Sequence, residues 1–175
     1  SLCMYTPLDY VLPNRKAYYE NLYDTQLEGK ARFKQIDREF SLKALMKTNL
    51  LKRLESSIYA FDKTTTYLTE GVQAILDAIK SDDGSEITDF DTNSYFDDDD
   101  LQVEGLMIGN ATKIRVADLD KVRYQSNLEF DLTILCHISE SIKKITPDRD
   151  EKIEGLKRII SDKITKPLNA DNKKV

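Results

Sequence analysis

Apolar residues recur along the middle of the chain at Met46, Leu50, Leu54, Ile58, Phe61, Leu68, Val72, Ile75 and Ile79, with Thr65 filling the one missing step. Every interval is three or four residues, the spacing that keeps side chains on one face of an α-helix. The segment around them, Ser41–Lys80, has no proline, and its one glycine, Gly71, lies late. Leucine, alanine, lysine and glutamate fill its first half, and all favour helix. The pattern predicts one helix over Ser41–Lys80, about 60 Å long at about 1.5 Å per residue. Such a helix cannot bury its own stripe, so the other segments are expected to cover it.

Those segments are also mostly helical in pattern. Leu2–Thr6 suggests a short extended piece, and Pro13 suits the first turn of a helix that carries Tyr19, Leu22, Tyr23 and Leu27. Gly29 breaks that helix, or it runs on through Ala31–Phe40. Lys113–Val116 reads as briefly extended. Asp118 is the expected N-cap of a helix carrying Leu119, Val122, Leu128, Leu132, Leu135, Ile138, Ile142 and Ile145. Pro147 stops it, and Asp148 is the expected cap of a last helix with Ile153, Leu156, Ile159, Ile160 and Ile164, ended by Pro167. The expected fold is all-α: an elongated antiparallel helical bundle around the long helix, covered by helices near 13–34, 118–145 and 148–165.

Charge divides the chain. The net charge is −5, yet residues 82–104 hold ten acids, and the rest has 21 acids against 26 bases. Asp97–Asp100 is a block of four like charges, so 82–110 is expected to be an acidic loop insert. Lys30–Arg53 is the reverse, with eight bases and only Asp37 and Glu39 as acids. At about 100° per residue, Lys52 points away from the stripe, Asn49 and Arg53 lie near its edge, and Lys43 and Lys47 fall on its side. Lysine and arginine along a helix suit phosphate contact. The plainer alternative is a solvated face with local pairs such as Lys52–Glu55 and Glu39–Lys43. The different phases of Lys43 and Lys47 against Lys52 predict a bend or a change of neighbour near Thr48.

Chemistry-bearing motifs are few. There is no phosphate-cradling glycine loop. The single histidine, His137, stands beside Cys136 on a predicted helix and is expected to be a surface or packed residue. Two cysteines are too few for a disulfide framework or a zinc site. Tyr18, Tyr19 and Tyr23 could stack on bases, but their spacing beside leucines favours a core role. The acidic block lacks the alternating order of a calcium loop. No apolar run is long enough to cross a bilayer, and the start, SLCMYTPL, lacks signal-peptide regions, so a cytoplasmic location is expected.

One string adds a family context. QIDREFSLKALMKTNLLKRLESSIYAF (Gln35–Phe61) resembles a segment of bacterial Swi/Snf-like helicases of superfamily two, where a form of Q-x-D-R-E-x-x-L-x-x-L-M-x-x-N-L-L-K-R-L-E-S-S lies between two RecA-like motor lobes. Pro7–Thr25 looks like the segment leaving the first lobe, Asp148–Ile164 is similar to the helix before the second, and Asn172–Val175 looks like the lead into that lobe's first strand. The resemblance implies that 1–175 is a single helical inter-lobe domain, with 1–12 as the exit from one lobe and 167–175 as the entry to the other. It implies an ATP-dependent helicase or translocase as the parent protein, with ATP and magnesium bound outside this segment and no cofactor within it. No catalytic constellation is present here. The implied partners are the two motor lobes and nucleic acid, with double-stranded DNA expected, and no membrane. The expected contact residues are Lys52 and Arg53, then Lys43 and Lys47, with Asn49 beside them. The alternative is a non-catalytic helical protein-interaction module with no nucleic-acid role.

Overall fold

A serine divides the expected long helix in two. The computed structural model describes residues 1–26, 32–81, 84–88, 112–145 and 151–166. Within them α1 is Pro13–Tyr23, α2 is Gln35–Ser56, α3 is Ile58–Ser81, α4 is Lys121–Ile142 and α5 is Glu151–Thr165. Ser57, between α2 and α3, is extended at φ −157° and ψ 128°. Its N–H closes α2 on the Arg53 carbonyl at 2.8 Å, its carbonyl takes the Phe61 N–H at 3.0 Å, and its hydroxyl accepts from the Ala60 N–H at 3.4 Å. Serine offers the backbone this capping alternative, so it can end one helix and start the next without proline or glycine. A bend or a change of neighbour is expected near Thr48; α2 runs unbroken through that residue, and the Thr48 hydroxyl donates to the Ala44 carbonyl at 3.2 Å.

The fold is an all-α bundle in which α3 and α4 form the main helix pair. Leu68, Val72, Ile75, Leu76 and Ile79 of α3 pack with Tyr124, Leu128 and Leu135 of α4 in one core. That is the later part of the stripe read from the sequence. Its earlier part is covered differently, because Leu54 is 41% exposed and Leu51, off the stripe, is 63% exposed.

The N-terminal segment supplies the filling. Leu2–Thr6 is not extended: Cys3–Tyr5 and Pro7–Tyr10 are two short 3-10 helices, and every residue from Leu2 to Leu8 is buried. Pro7 sits at the start of the second turn, where its fixed φ is already suitable. The first of these turns touches α2, α3 and α4. Tyr10 stacks on Tyr124 with ring centroids 4.3 Å apart. Cys3 N–H donates to the buried Asp131 carboxylate of α4 at 2.7 Å.

Two short antiparallel strand pairs complete the described fold. The helix expected over 13–34 stops at Tyr23, and Thr25–Gln26 (β1) pairs antiparallel with Arg32–Phe33 (β2). Glu86–Thr88 (β3) pairs antiparallel with Lys113–Arg115 (β4). The expected acidic insert therefore contributes to the fold at its start, where Ile87 is buried against the core. Residues 82–83 and 89–111, which carry most of its charge, lie outside the described residues, as do Gly29, Pro147, Asp148 and Pro167. Asp118 does not cap α4; Asp120 does, accepting the Arg123 N–H at 3.1 Å. The last helix is present as α5, but none of its described side chains is buried, so it does not cover the stripe as expected.

Candidate nucleic-acid interface

The first turns of α2 are a polar latch. Gln35, Arg38 and Glu39 are buried on the same helix face as Leu42 and Met46. The Gln35 backbone N–H donates to Asp24 Oδ1 at 3.0 Å, and its side-chain amide donates to the Thr112 hydroxyl at 2.9 Å. Arg38 donates to Gln35 Oε1 at 3.3 Å. Glu39, wholly buried, accepts the Leu8 N–H at 3.1 Å. Three distant stretches, at Leu8, Asp24 and Thr112, thus converge on Gln35 and Glu39 of one helix. Surface pairing of Glu39 with Lys43, one of the plainer expectations, gives way to this inward role.

Past the latch the helix carries cations outward on two flanks. Lys47 and Lys52 are exposed, while Lys43 and Arg53 are half-buried. The Lys43 ammonium stands over the Phe40 ring at 4.4 Å from its centroid, a contact that steadies a long side chain. At about 100° per residue, Lys43 and Lys47 fall on one flank of the buried face and Lys52 on the other. Asn49 is different. It is 5% exposed, and neither its amide nitrogen nor its oxygen has a hydrogen-bond partner. In this conformation it cannot reach a phosphate in solvent. The five residues therefore form no single patch: two are exposed, two half-buried and one enclosed.

The tyrosines of α1 are largely structural. Tyr19 is buried, Tyr23 is half-buried, and Tyr18 is exposed under the Arg15 guanidinium at 4.9 Å. Asp118 accepts from the Tyr19 hydroxyl at 2.7 Å and pairs with Arg15 at 3.0 Å. Partial burial works to raise the Asp118 pKa, but those two partners outweigh it and hold the carboxyl below its usual value. Burial also pushes the Tyr19 phenol up to about 12, helped by its bond to Asp118. At Asp131 burial acts to raise the pKa, and the Cys3 N–H, donated to the carboxylate at 2.7 Å, acts to lower it. Burial and the neighbouring Asp131 raise the Cys3 thiol to about 12.

Sequence reasoning missed the latch and Asp131. A usable signal was present, since Gln35, Arg38 and Glu39 share the spacing of Leu42 and Met46, and Asp131 falls between Leu128 and Leu135 at i+3 and i+7. His137 and Cys136 are exposed on α4. Among the described residues no group of three or more His, Cys, Asp or Glu could hold a metal ion, and no helix is long and apolar enough to cross a membrane. No protein-family model matches the chain, and no curated protein and no solved structure matches it.

Proposed function

We propose that this chain is the helical inter-lobe domain of a Swi/Snf-like, ATP-dependent helicase or translocase, and that α2 bears on nucleic-acid phosphates. The observation that carries the phosphate contact is the charge of α2. Lys43, Lys47, Lys52 and Arg53 fall within about three turns, and between Ser41 and Leu54 there is no acid. The resemblance of Gln35–Phe61 supports the parent activity. The latch supports a mechanical role, because it ties α2 to the N-terminal segment through Leu8 and to the end of α1 through Asp24. A movement arriving through either segment would carry the cations with it. ATP and magnesium would act in the motor lobes and not on this chain's residues.

The test is a titration of duplex DNA at two salt concentrations. Each phosphate contact steepens the dependence of log K on log salt by about 0.9. Binding with a slope that falls by about 2 in the Lys47→Glu/Lys52→Glu double variant supports the reading; salt-independent binding, or none, overturns the phosphate contact. A protein-interaction module is the second reading, favoured by Leu51, Leu54 and Tyr59, which are 63%, 41% and 67% exposed beside the same cations. It predicts loss of partner binding on Leu51→Asp with the duplex titration unaffected.

A further inference from the structure

α5 is amphipathic, and its apolar side faces solvent. Ile153, Leu156, Ile159 and Ile164 are 41%, 58%, 57% and 66% exposed. Ile153, Leu156, Ile160 and Ile164 follow at i, i+3, i+7 and i+11, which is the spacing of a helix that lies in a groove. Lysines border this face: Lys152 and Lys163 on one side and, on the other, Lys157, which pairs with Glu154 at 2.8 Å. The acids Glu154 and Asp162 fall on the far half, so the charge of the apolar side is positive.

The α3–α4 pair carries the complement. A groove of about 370 Å³ runs between them, with Asp62, Thr66 and Glu70 on α3 and Cys136, Glu140 and Lys143 on α4 among its walls. Three carboxylates there face one ammonium. The walls between the charges are mostly carbon, and the Cys136 thiol is exposed. The groove lies at the end of α4 from which the chain leads to α5. From Lys143 to Glu151 is eight residue steps, enough for about 26 Å of extended chain. That length allows α5 to turn back antiparallel to α4, and its own length of about 22 Å spans the groove.

We propose that α5 closes onto the α3–α4 groove of its own chain, burying Ile153, Leu156, Ile160 and Ile164 and setting Lys152 and Lys163 against the groove carboxylates Asp62, Glu70 and Glu140. The described arrangement is the open state of that pair. The proposal is independent of the nucleic-acid reading, since it uses none of the α2 cations. Closure is attractive at low salt and weakened as salt rises.

Cys136 makes the test direct. A disulfide needs Cα atoms within about 7 Å. In the whole chain, Ile160→Cys and, separately, Leu156→Cys are oxidised mildly, with Arg158→Cys on the far side of α5 as the control. Cys3 is buried and stays out of the exchange. The expected result is an intrachain Cys136 bond in at least one of the two face variants, formed at least tenfold faster than in the control and slowed several-fold by Glu70→Lys/Glu140→Lys. Equal rates in the face variants and the control, no intrachain bond in either, or bonds only between chains would overturn closure in cis. All the substituted positions are exposed or half-exposed, and unchanged helical circular dichroism checks that the variants are folded.

Discussion

The hydroxyl of Tyr23 donates to the Lys113 carbonyl at 2.9 Å and accepts the Lys113 N–H at 2.8 Å. One phenol thus satisfies both backbone groups of a strand residue. One turn earlier on α1, the Tyr19 hydroxyl accepts the Arg115 N–H at 3.1 Å. Lys113 and Arg115 present the edge of β4 that faces away from β3, while Ile114 pairs with Ile87. Two tyrosines spaced i, i+4 on a helix therefore stand where a third strand would lie. An open strand edge is a template for pairing with other chains, and here α1 covers it.

Removing these hydroxyls should weaken the fold unequally. Tyr19→Phe leaves the buried side of Asp118 with one partner fewer and is expected to cost about 1–3 kcal/mol. Tyr23→Phe acts at an exposed site where water can replace the hydroxyl, and is expected to cost about 0.5–1.5 kcal/mol. Urea unfolding followed by circular dichroism measures both. Equal losses would mean that burial of Tyr19 adds nothing to its bonds.

Periodicity made some of this fold legible and hid the rest. The α3 stripe from Leu68 to Ile79 and the α4 positions Tyr124, Leu128 and Leu135 pack as their spacing implies. The break at Ser57 was hidden because the stripe continues in phase across it, and a local serine cap decided the matter against propensity. The N-terminal segment was hidden for another reason. Leu2–Val11 has no repeat because 3-10 turns threaded between helices bury residues all round. Charge misled at α2, where Arg38 and Glu39 look solvated in sequence and are buried.

The Glu39 carboxylate should be the most sensitive part of the latch. Glu39→Ala strands the buried Leu8 N–H and is expected to lower stability by about 2–4 kcal/mol, the charged hydrogen bond and the desolvated donor both counting. Glu39→Gln keeps an acceptor oxygen for Leu8 and should recover part of that. Urea midpoints of the two variants decide it; a loss that is the same in both would place the energy in the charge and not in the bond to Leu8.

Asp131 gives the fold an acid limit. Burial acts to raise its folded pKa, and the Cys3 N–H, donated to the carboxylate at 2.7 Å, draws it down below the ordinary carboxylate value. A depressed carboxyl contributes stability that is fully present above the unfolded value, about 3.9, and lost as pH falls from there through the folded value. Asp131→Asn should lower stability at neutral pH and flatten the acid limb below about pH 4. Thermal melts from pH 7 to pH 2.5 read this; an unchanged acid limb in the variant would assign acid sensitivity to other carboxylates.

Asn49 separates stability from binding. It stands on the inner face of α2 with Met46, and both ends of its amide lack hydrogen-bond partners. An unsatisfied buried amide costs about 1–3 kcal/mol, and leucine has nearly its shape without its polar atoms. Asn49→Leu is therefore expected to raise stability by about 1 kcal/mol or more, read as a higher urea midpoint. Duplex binding should change little if Lys47 and Lys52 make the phosphate contacts from the exposed flanks. The opposite pattern, a stability unchanged and a duplex affinity lowered about tenfold, would mean that α2 turns when nucleic acid binds and brings Asn49 out. That rotation would carry Leu54, 41% exposed, inward, onto the stripe that the sequence draws through Ile58 and Phe61. A polar residue held inside while leucines stand outside is a local conflict of the kind that marks a functional position. The paired measurement of stability and binding in one variant distinguishes a fixed α2 from one that turns.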